Sequence, residues 1–521
     1  MPNFECFDPI NQALKEDIKV HSVMTGQPLY KFVMAQKNEF TDSKFYRNAI
    51  ISEHYYDNEA DIENKTRQMI NKDGLWEDTN LLSNTKKQHN FLYKIIKQKN
   101  SFLLSKPFSF NANIDMNKEQ NKEYMEELSK HFDKKMRNFI RSMLKSAMID
   151  GIGWCQKYYD STGKINYKKI PALEIIPLWE NYEHTNLDGL IRFYDQVHYD
   201  NNGDKELITK VEFYDRTGAY YFQQNGNSLI ADKDVYADGV LVPMPHFYER
   251  VIKVDEYGQP ILDENGNEVY ELTGKLFDKI PFVALKNTDD ERPILMQIKS
   301  LIDEYNALAS QCGDQLKDVL SDILKVKGYS GSDAEEFVHN LNQIRTIFLD
   351  GDGDVDTLHT DINIEAIEKY LDRTKQDIYD LSMSVNTEAE KLQAASGIAL
   401  QMRYSDLILD CADIGNEVES AILEMIEDYN LDKKTKGEYV PENLDIEVVF
   451  NMDMPIDEQS VIANVVASMG VISKQTAIAN HPWVKDVEAE MAQIEKENQE
   501  LDTYNAEMFG QQNLANENNE E

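Results

Sequence analysis

Apolar residues recur every three or four positions through three successive stretches between residues 290 and 430, and this spacing predicts three helices. The first carries Ile294, Ile298, Leu301, Tyr305 and Leu308, with Asp289 and Asp290 placed to cap it and Pro293 in a first turn where a missing N–H costs little. A short, glycine-punctuated excursion of β character follows. The second helix carries Ile367, Leu371, Thr374, Ile378 and Leu381. After a loop of small residues the third alternates steps of four and three through Leu400, Tyr404, Leu407, Cys411, Ile414, Val418, Ala421 and Met425. Any one stripe reads as an ordinary core helix. Three around one insertion favour burial against other helices, of the same chain or of copies of it.

The remaining pattern is mixed. Residues 1–40 read as an arm with little core of its own. A helix is expected from Asp42 to Tyr56, an apolar stretch from Lys86 to Leu104, and one long helix from Glu119 to about Ile149, stopped at Gly151. Between 154 and 285, short runs of Val, Ile, Tyr and Phe alternate with Asp/Asn/Gly turns at 200–203, 225–226 and 265–266, which predicts an antiparallel meander. Ile446–Phe450 is a strand. Helices follow over Glu458–Met469 and after Ser473, which suits an N-cap, with another from Val484 to about Asp502. The fold class is α+β.

Composition narrows the function. The 521-residue chain is long enough for two to four domains, and no apolar run approaches the ~20 residues needed to span a bilayer. With no signal-peptide pattern at its start, it is expected to be a soluble protein made in the cytosol. The formal net charge is −39, which argues against a protein that grips nucleic acid by its phosphates but not against one past which DNA must slide. The four cysteines, Cys6, Cys155, Cys312 and Cys411, are too scattered for a metal site and read as free thiols. The stretch 485–521 holds 11 acidic and 2 basic residues and reads as a disordered tail from 503 on.

No catalytic constellation emerges. There is no phosphate-binding Gly-Lys-Ser/Thr loop, no His-Glu-x-x-His helix and no nucleophile elbow. Asp350, Asp352, Asp354 and Asp356 alternate as the early ligands of a calcium loop do. Val355 stands where that loop needs glycine, however, and Asp361 where it needs glutamate, so an acidic turn between two short strands is the better reading. Lys134, Lys135, Arg137 and Arg141 offer cations to a phosphate, but a solvated helix face explains them more simply. No catalytic residue, metal or cofactor is expected.

Several stretches together resemble the portal proteins of tailed double-stranded DNA phages, in the family common among siphophages of Gram-positive hosts. These are Asn100–Pro107 (NSFLLSKP) with Gly151-Ile152-Gly153-Trp154; Ser300–Asn306 (SLIDEYN) with Ser310; Lys327-Gly328-Tyr329 and Asp352–Val355; Ser396–Leu400 (SGIAL); and Met469–Ser473 (MGVIS) with His481-Pro482 and Asp486. They keep the family's order from about 100 to 500.

The resemblance implies a subunit with an α/β wing, a helical stem, a small clip and a helical crown. On that pattern, 1–40 is an N-terminal arm, 41–290 the wing, 291–324 and 364–384 the stem helices, 325–363 the clip, 385–397 a tunnel loop, 398–436 a long wing helix, 437–502 the crown and 503–521 the acidic tail. It further implies a ring of twelve copies at one capsid vertex, assembled in the host cytoplasm with scaffold and major capsid protein. Terminase and then head-completion or adaptor proteins would dock on it, and double-stranded DNA would pass through without sequence-specific binding. Asn386, Lys391, Gln393 and Ser396 would face that DNA. Other head–tail connector or capsid-vertex proteins, or a packaging nuclease, are the rival readings.

Overall fold

The computed structural model describes residues 27–497, apart from 71–73, 80–82, 161, 200–202, 256, 258, 263–267, 319–322, 330–348, 359–363, 388–396, 453–457, 485–486 and 488–489. It falls into two compact units, residues 1–386 with 407–452, and residues 387–406 with 453–521.

The larger unit is built on a small sheet that separates two cores. Two short strands precede that sheet as a hairpin, β1 (Gln68–Ile70) with β2 (Trp76–Asp78), and a third, β3 (Ser109–Ala112), pairs far along the chain with β16 (Ile446–Val449). In the small sheet itself, β4 (Ile152–Tyr159) lies between β13 (Phe282–Lys286) and β5 (Ile165–Ile170), all antiparallel. Side chains alternate across a strand, and here both faces are buried. Ile152, Trp154 and Phe282 enter one core, while Cys155, Val283 and Leu285 enter the other.

The first core contains a five-stranded antiparallel meander: β6 (Ile175–Trp179), β7 (Leu187–Tyr199), β8 (Lys205–Asp215), β9 (Gly218–Asn225) and β10 (Ser228–Ala231). Two of the predicted turns join its strands, at Gly203 and at Asn225-Gly226. The third falls within 263–267, outside the described residues, but it lies between the paired strands β11 (Phe247–Ile252) and β12 (Tyr270–Lys275). Helix α1 (Gln27–Asp42) packs on the meander through Leu29, Val33 and Phe40, all buried. Part of the expected coreless arm is therefore an integral helix, because its apolar residues recur at helical spacing. Ser43 ends it and caps α2 (Lys44–Tyr56), accepting from the Tyr46 N–H at 3.1 Å.

The second core is helical. It gathers α3 (Phe91–Leu104), α4 (Glu119–His131), α5 (Lys134–Asp150), α6 (Leu295–Asp318), α7 (Ile364–Leu381) and the larger unit's share of α8 (Gly397–Thr435). The single helix expected over 119–149 is two. Phe132 leaves helical geometry and Asp133 starts a new helix, its carboxylate accepting the Met136 N–H at 2.9 Å. Six of the eight expected α8 seam residues are buried: Leu407, Cys411, Ile414, Val418, Ala421 and Met425 are each at most 3% exposed, whereas Tyr404 is half-buried and the Leu400 side chain lies outside the described residues. The strand expected at 446–450 is β16, which closes this core against β3.

The smaller unit contains α9 (Glu458–Ser468), a turn at Gly470 with φ 98°, and α10 (Lys474–Ala479), capped by Ser473 as expected. Residues 490–497 are helical, and the acidic tail lies outside the described residues.

Candidate functional site

The helix–insertion–helix segment is the part of the chain that its sequence set apart, and the way α6 is fixed explains two of the motifs. Helix α5 ends at Gly151, whose φ of 97° suits glycine. A side chain there would collide with the Glu291 carbonyl. One at Gly153 would meet the Met143 carbonyl at 2.6 Å. Gly151 therefore permits close backbone approach where the chain turns into α6, and Gly153 permits β4 to lie close against α5. The Asn287 N–H to Gly151 O and Ile294 N–H to Met148 O bonds (2.9 and 3.1 Å) tie that approach down. The helix starts at Leu295, two residues after Pro293. Its first N–H groups bond back to the Pro293 and Ile294 carbonyls rather than to Asp289 or Asp290, so the expected acidic cap is not where the helix begins.

Asn306, Ser310 and Asp314 lie four residues apart on α6 and are all buried. Asn306 Oδ1 accepts the His89 N–H at 3.0 Å, Ser310 Oγ the Lys87 N–H at 2.9 Å, and Asp314 Oδ1 the Thr85 N–H at 2.5 Å. Lys65 and Arg67 reach the other Asp314 oxygen at 2.5 and 3.1 Å. Burial alone would raise the Asp314 pKa, but these donors hold it below the ordinary carboxylate value. Residues 85–89 are thus strapped to one flank of α6 by side chains that accept their backbone N–H groups, with Lys65 and Arg67 joining through their side chains. Asn306 and Ser310 belong to the SLIDEYN…S motif, whose structural meaning is this strap.

On the far side of the insertion, α7 packs beside α6, and Tyr370 Oη donates to Glu304 at 2.6 Å. Thr374 and Ile378 are buried as expected, whereas Leu381 is 59% exposed because the helix ends there. Between the helices, β14 (Ile323–Tyr329) and β15 (Leu349–Leu358) form an antiparallel hairpin in which Lys327 lies opposite Asp354. The acidic run 350–356 is therefore not a turn but lies within β15. The period of two places Asp352 and Asp354 on one face of the hairpin. Among the described residues no group of three or more His, Cys, Asp or Glu is placed to hold a metal ion.

Of the four expected DNA-facing residues, Lys391, Gln393 and Ser396 lie outside the described residues. Asn386 is half-buried, with its Oδ1 unpaired among the described residues. The chain just before it is clamped by α3. The Gln98 amide donates to Val385 O at 3.1 Å and accepts the Val385 N–H at 3.0 Å. The next residue, Lys99, is 2% exposed and pairs with Asp410 of α8 at 2.7 Å. Consecutive residues of α3 therefore hold the chain on both sides of residues 388–396. Neither stands out in the sequence, since a contact across about 300 residues leaves no local periodicity.

Two further charged pairs sit at α8, the first buried and the second exposed. Lys157 of β4 pairs with Asp428 at 2.5 Å, and Lys279 with Glu427 at 2.7 Å. Glu424, one turn before Asp428, has its pKa pushed up to about 7, by burial first and by Asp428 second. Burial likewise pushes the Cys155 and Cys411 thiols up, so both are inert packing groups.

The comparison with known proteins agrees with the motifs. The family described as "Phage portal protein, SPP1 Gp6-like" matches residues 42–504. The portal protein of Bacillus phage SPP1 is 26% identical over 451 residues, which is 85% of this chain and 82% of that protein. The portal protein of Clostridium phage phiCD119 is 25% identical over 456 residues, 83% of this chain and 89% of that protein. With the match running from α2 through the strapped α6, the hairpin insertion and α8 to beyond α10, this protein belongs to the SPP1 Gp6-like family of phage portal proteins.

Proposed function

We propose that copies of this chain form the ring at one capsid vertex through which the phage genome is packaged and later leaves. The observation that carries the reading is the α6–hairpin–α7 insertion, fixed at its base and followed by the long α8, within a chain matched to portal proteins over 42–504. In this reading α6 and α7 are the stem and line the channel. The β14–β15 hairpin is the clip, where terminase docks during packaging and head-completion or adaptor proteins dock afterwards. Residues 41–290 with 398–436 are the wing, residues 437–502 the crown, and residues 385–397 the tunnel loop. At 1.5 Å per residue the 24 residues of α6 span about 36 Å, shorter than the 50 Å or so that 291–324 would give as one helix.

The role asked of the protein is mechanical, not catalytic. DNA is a polyanion, and a channel wall that bound it tightly would stall it. A chain of net charge −39 offers an acidic wall that repels phosphates and keeps the duplex moving. Glu368 and Asp372 are exposed on α7 and available to such a wall. Replacing both with lysine is expected to slow packaging of DNA into procapsids, with the deficit shrinking as salt rises and screens the new charges. Packaging at the unaltered rate in low salt contradicts the reading.

A further inference from the structure

In a chain with 93 acidic and 54 basic residues, the exposed charge on α3 and α5 has the opposite sign. The two helices hold eight lysines and arginines, of which only Lys99 is buried, against one acid, the buried Asp150. Between them lies a groove of about 350 Å³ whose lining includes Tyr93, Lys97, Asn138, Arg141, Ser142 and Lys145, and no carboxylate. Tyr93 and Lys97 are one turn apart on α3. Asn138, Arg141, Ser142 and Lys145 share one face of α5. Among the described residues none of Lys97, Arg141 and Lys145 forms an ion pair. Lys97 lies over the Tyr93 ring at 5.5 Å, and Lys145 over the Tyr56 ring at 5.4 Å. Apart from Ile96 the lining presents cations and neutral hydrogen-bonding groups, and it suits carboxylates.

The matching surface is on α8. Between Arg403 and Lys433 the helix has nine acidic residues and no basic one. Asp413, Glu417, Ser420, Glu424 and Glu427 fall within an arc of about 80° at 100° per residue, so they form one stripe. The last four line a second open groove, of about 920 Å³, in which acids outnumber the cations Arg216, Lys279 and Lys286. Asp413 and Glu417 have no ion-pair partner among the described residues. Glu417 also has its pKa raised, by burial and by Asp289 and Glu291 against the pull of Lys286. Glu427 is already paired with Lys279, so it is Asp413 and Glu417, left without an ion pair by their own chain, that an external cation stabilises.

We propose that the basic groove between α3 and α5 seats the acidic α8 stripe of a second copy of this chain. The contact joins two different patches, and repeating such a heterologous contact generates a ring when the rotation closes. The inference rests on the ring reading above and adds which surfaces meet. Charge complementarity of this kind sets register and excludes wrong orientations more than it adds affinity. That is the requirement on a subunit whose net charge is strongly repulsive toward its own copies.

Two charge-reversed proteins test it. One carries Lys97→Glu with Arg141→Glu, the other Asp413→Lys with Glu417→Lys, each checked for native circular dichroism. Native mass spectrometry in low salt is expected to find neither assembled alone. An equimolar mixture should form rings in which the two alternate, because every groove then meets a stripe of opposite sign. Normal rings from either protein alone, or no rings from the mixture, overturn the contact. Should a reversed chain lose its fold, Lys97→Gln with Arg141→Gln replaces it. Its rings are expected to come apart at lower salt than the wild type, and unchanged salt dependence overturns the contact equally. A wild type that stays as single copies overturns the ring reading itself, a result distinguishable from failure of this interface.

Discussion

Glu424 sits on α8 one turn before Asp428, where burial and that neighbouring carboxylate raise its pKa. Its pKa is about 7 in the folded chain against an ordinary value of 4.5, so the folded state holds the proton more tightly than the unfolded one. Stability linked to that proton is present below about pH 4.5 and is lost as pH rises toward 7. Removing the charge with Glu424→Gln should leave stability unchanged at pH 4.5. At pH 8 it should raise stability by up to about 3 kcal/mol, since each tenfold change in proton affinity is worth about 1.4 kcal/mol. Thermal melting of both proteins at the two pH values checks this, and parallel pH profiles would refute it. Gly151 makes a sharper steric case. With φ at 97° and the Glu291 carbonyl in the way, Gly151→Ala is expected to cost at least about 2 kcal/mol, read as a lower melting temperature. The stop at Gly151 was legible in the sequence because glycine after an apolar helix is a local signal. Glu424 was not, because nothing in its neighbours along the chain says that Asp428 and the underside of a sheet will surround it.

At the scale of elements, legibility followed the same line. The α8 seam could be read because its burial is one stripe on one helix, and Leu407 through Met425 are buried as the spacing required. The break at Asp133 was missed because the apolar residues on either side keep helical spacing across it, and only a capping side chain marks the new start. The strap on α6 was missed because its partners are more than two hundred residues away. It predicts a selective effect. Asn306→Ala and Ser310→Ala each remove the acceptor of one part-buried backbone N–H, at about 0.5–1.5 kcal/mol each. Hydrogen exchange should speed up at His89 and Lys87 respectively while the α8 amides stay protected. Uniform loss of protection across the chain would mean that the strap is not a separate element. For the clamp on α3, Gln98→Ala should likewise expose the Val385 amide to exchange and leave Ile378 as slow as before.

At the scale of the whole molecule, the class of fold and the family were legible, but the assembly was not. The α+β class followed from hairpin turns between runs of β-formers beside long amphipathic stripes. Family membership followed from short motifs kept in order over some four hundred residues, two of which now have a structural cause in the Gly151/Gly153 approach and the Asn306/Ser310 strap. In the contact proposed between copies, the faces that meet carry charge on surfaces far apart in sequence, on α3, α5 and α8, and no local pattern encodes such a pairing. The central claim is a closed ring around a passage for duplex DNA, and electron cryomicroscopy of the purified, assembled protein tests it most directly. The expected result is a ring with a central opening wide enough for a duplex of about 20 Å, walled by residues 295–318 and 364–381. Single copies, or an assembly with no axial passage along those helices, would contradict it.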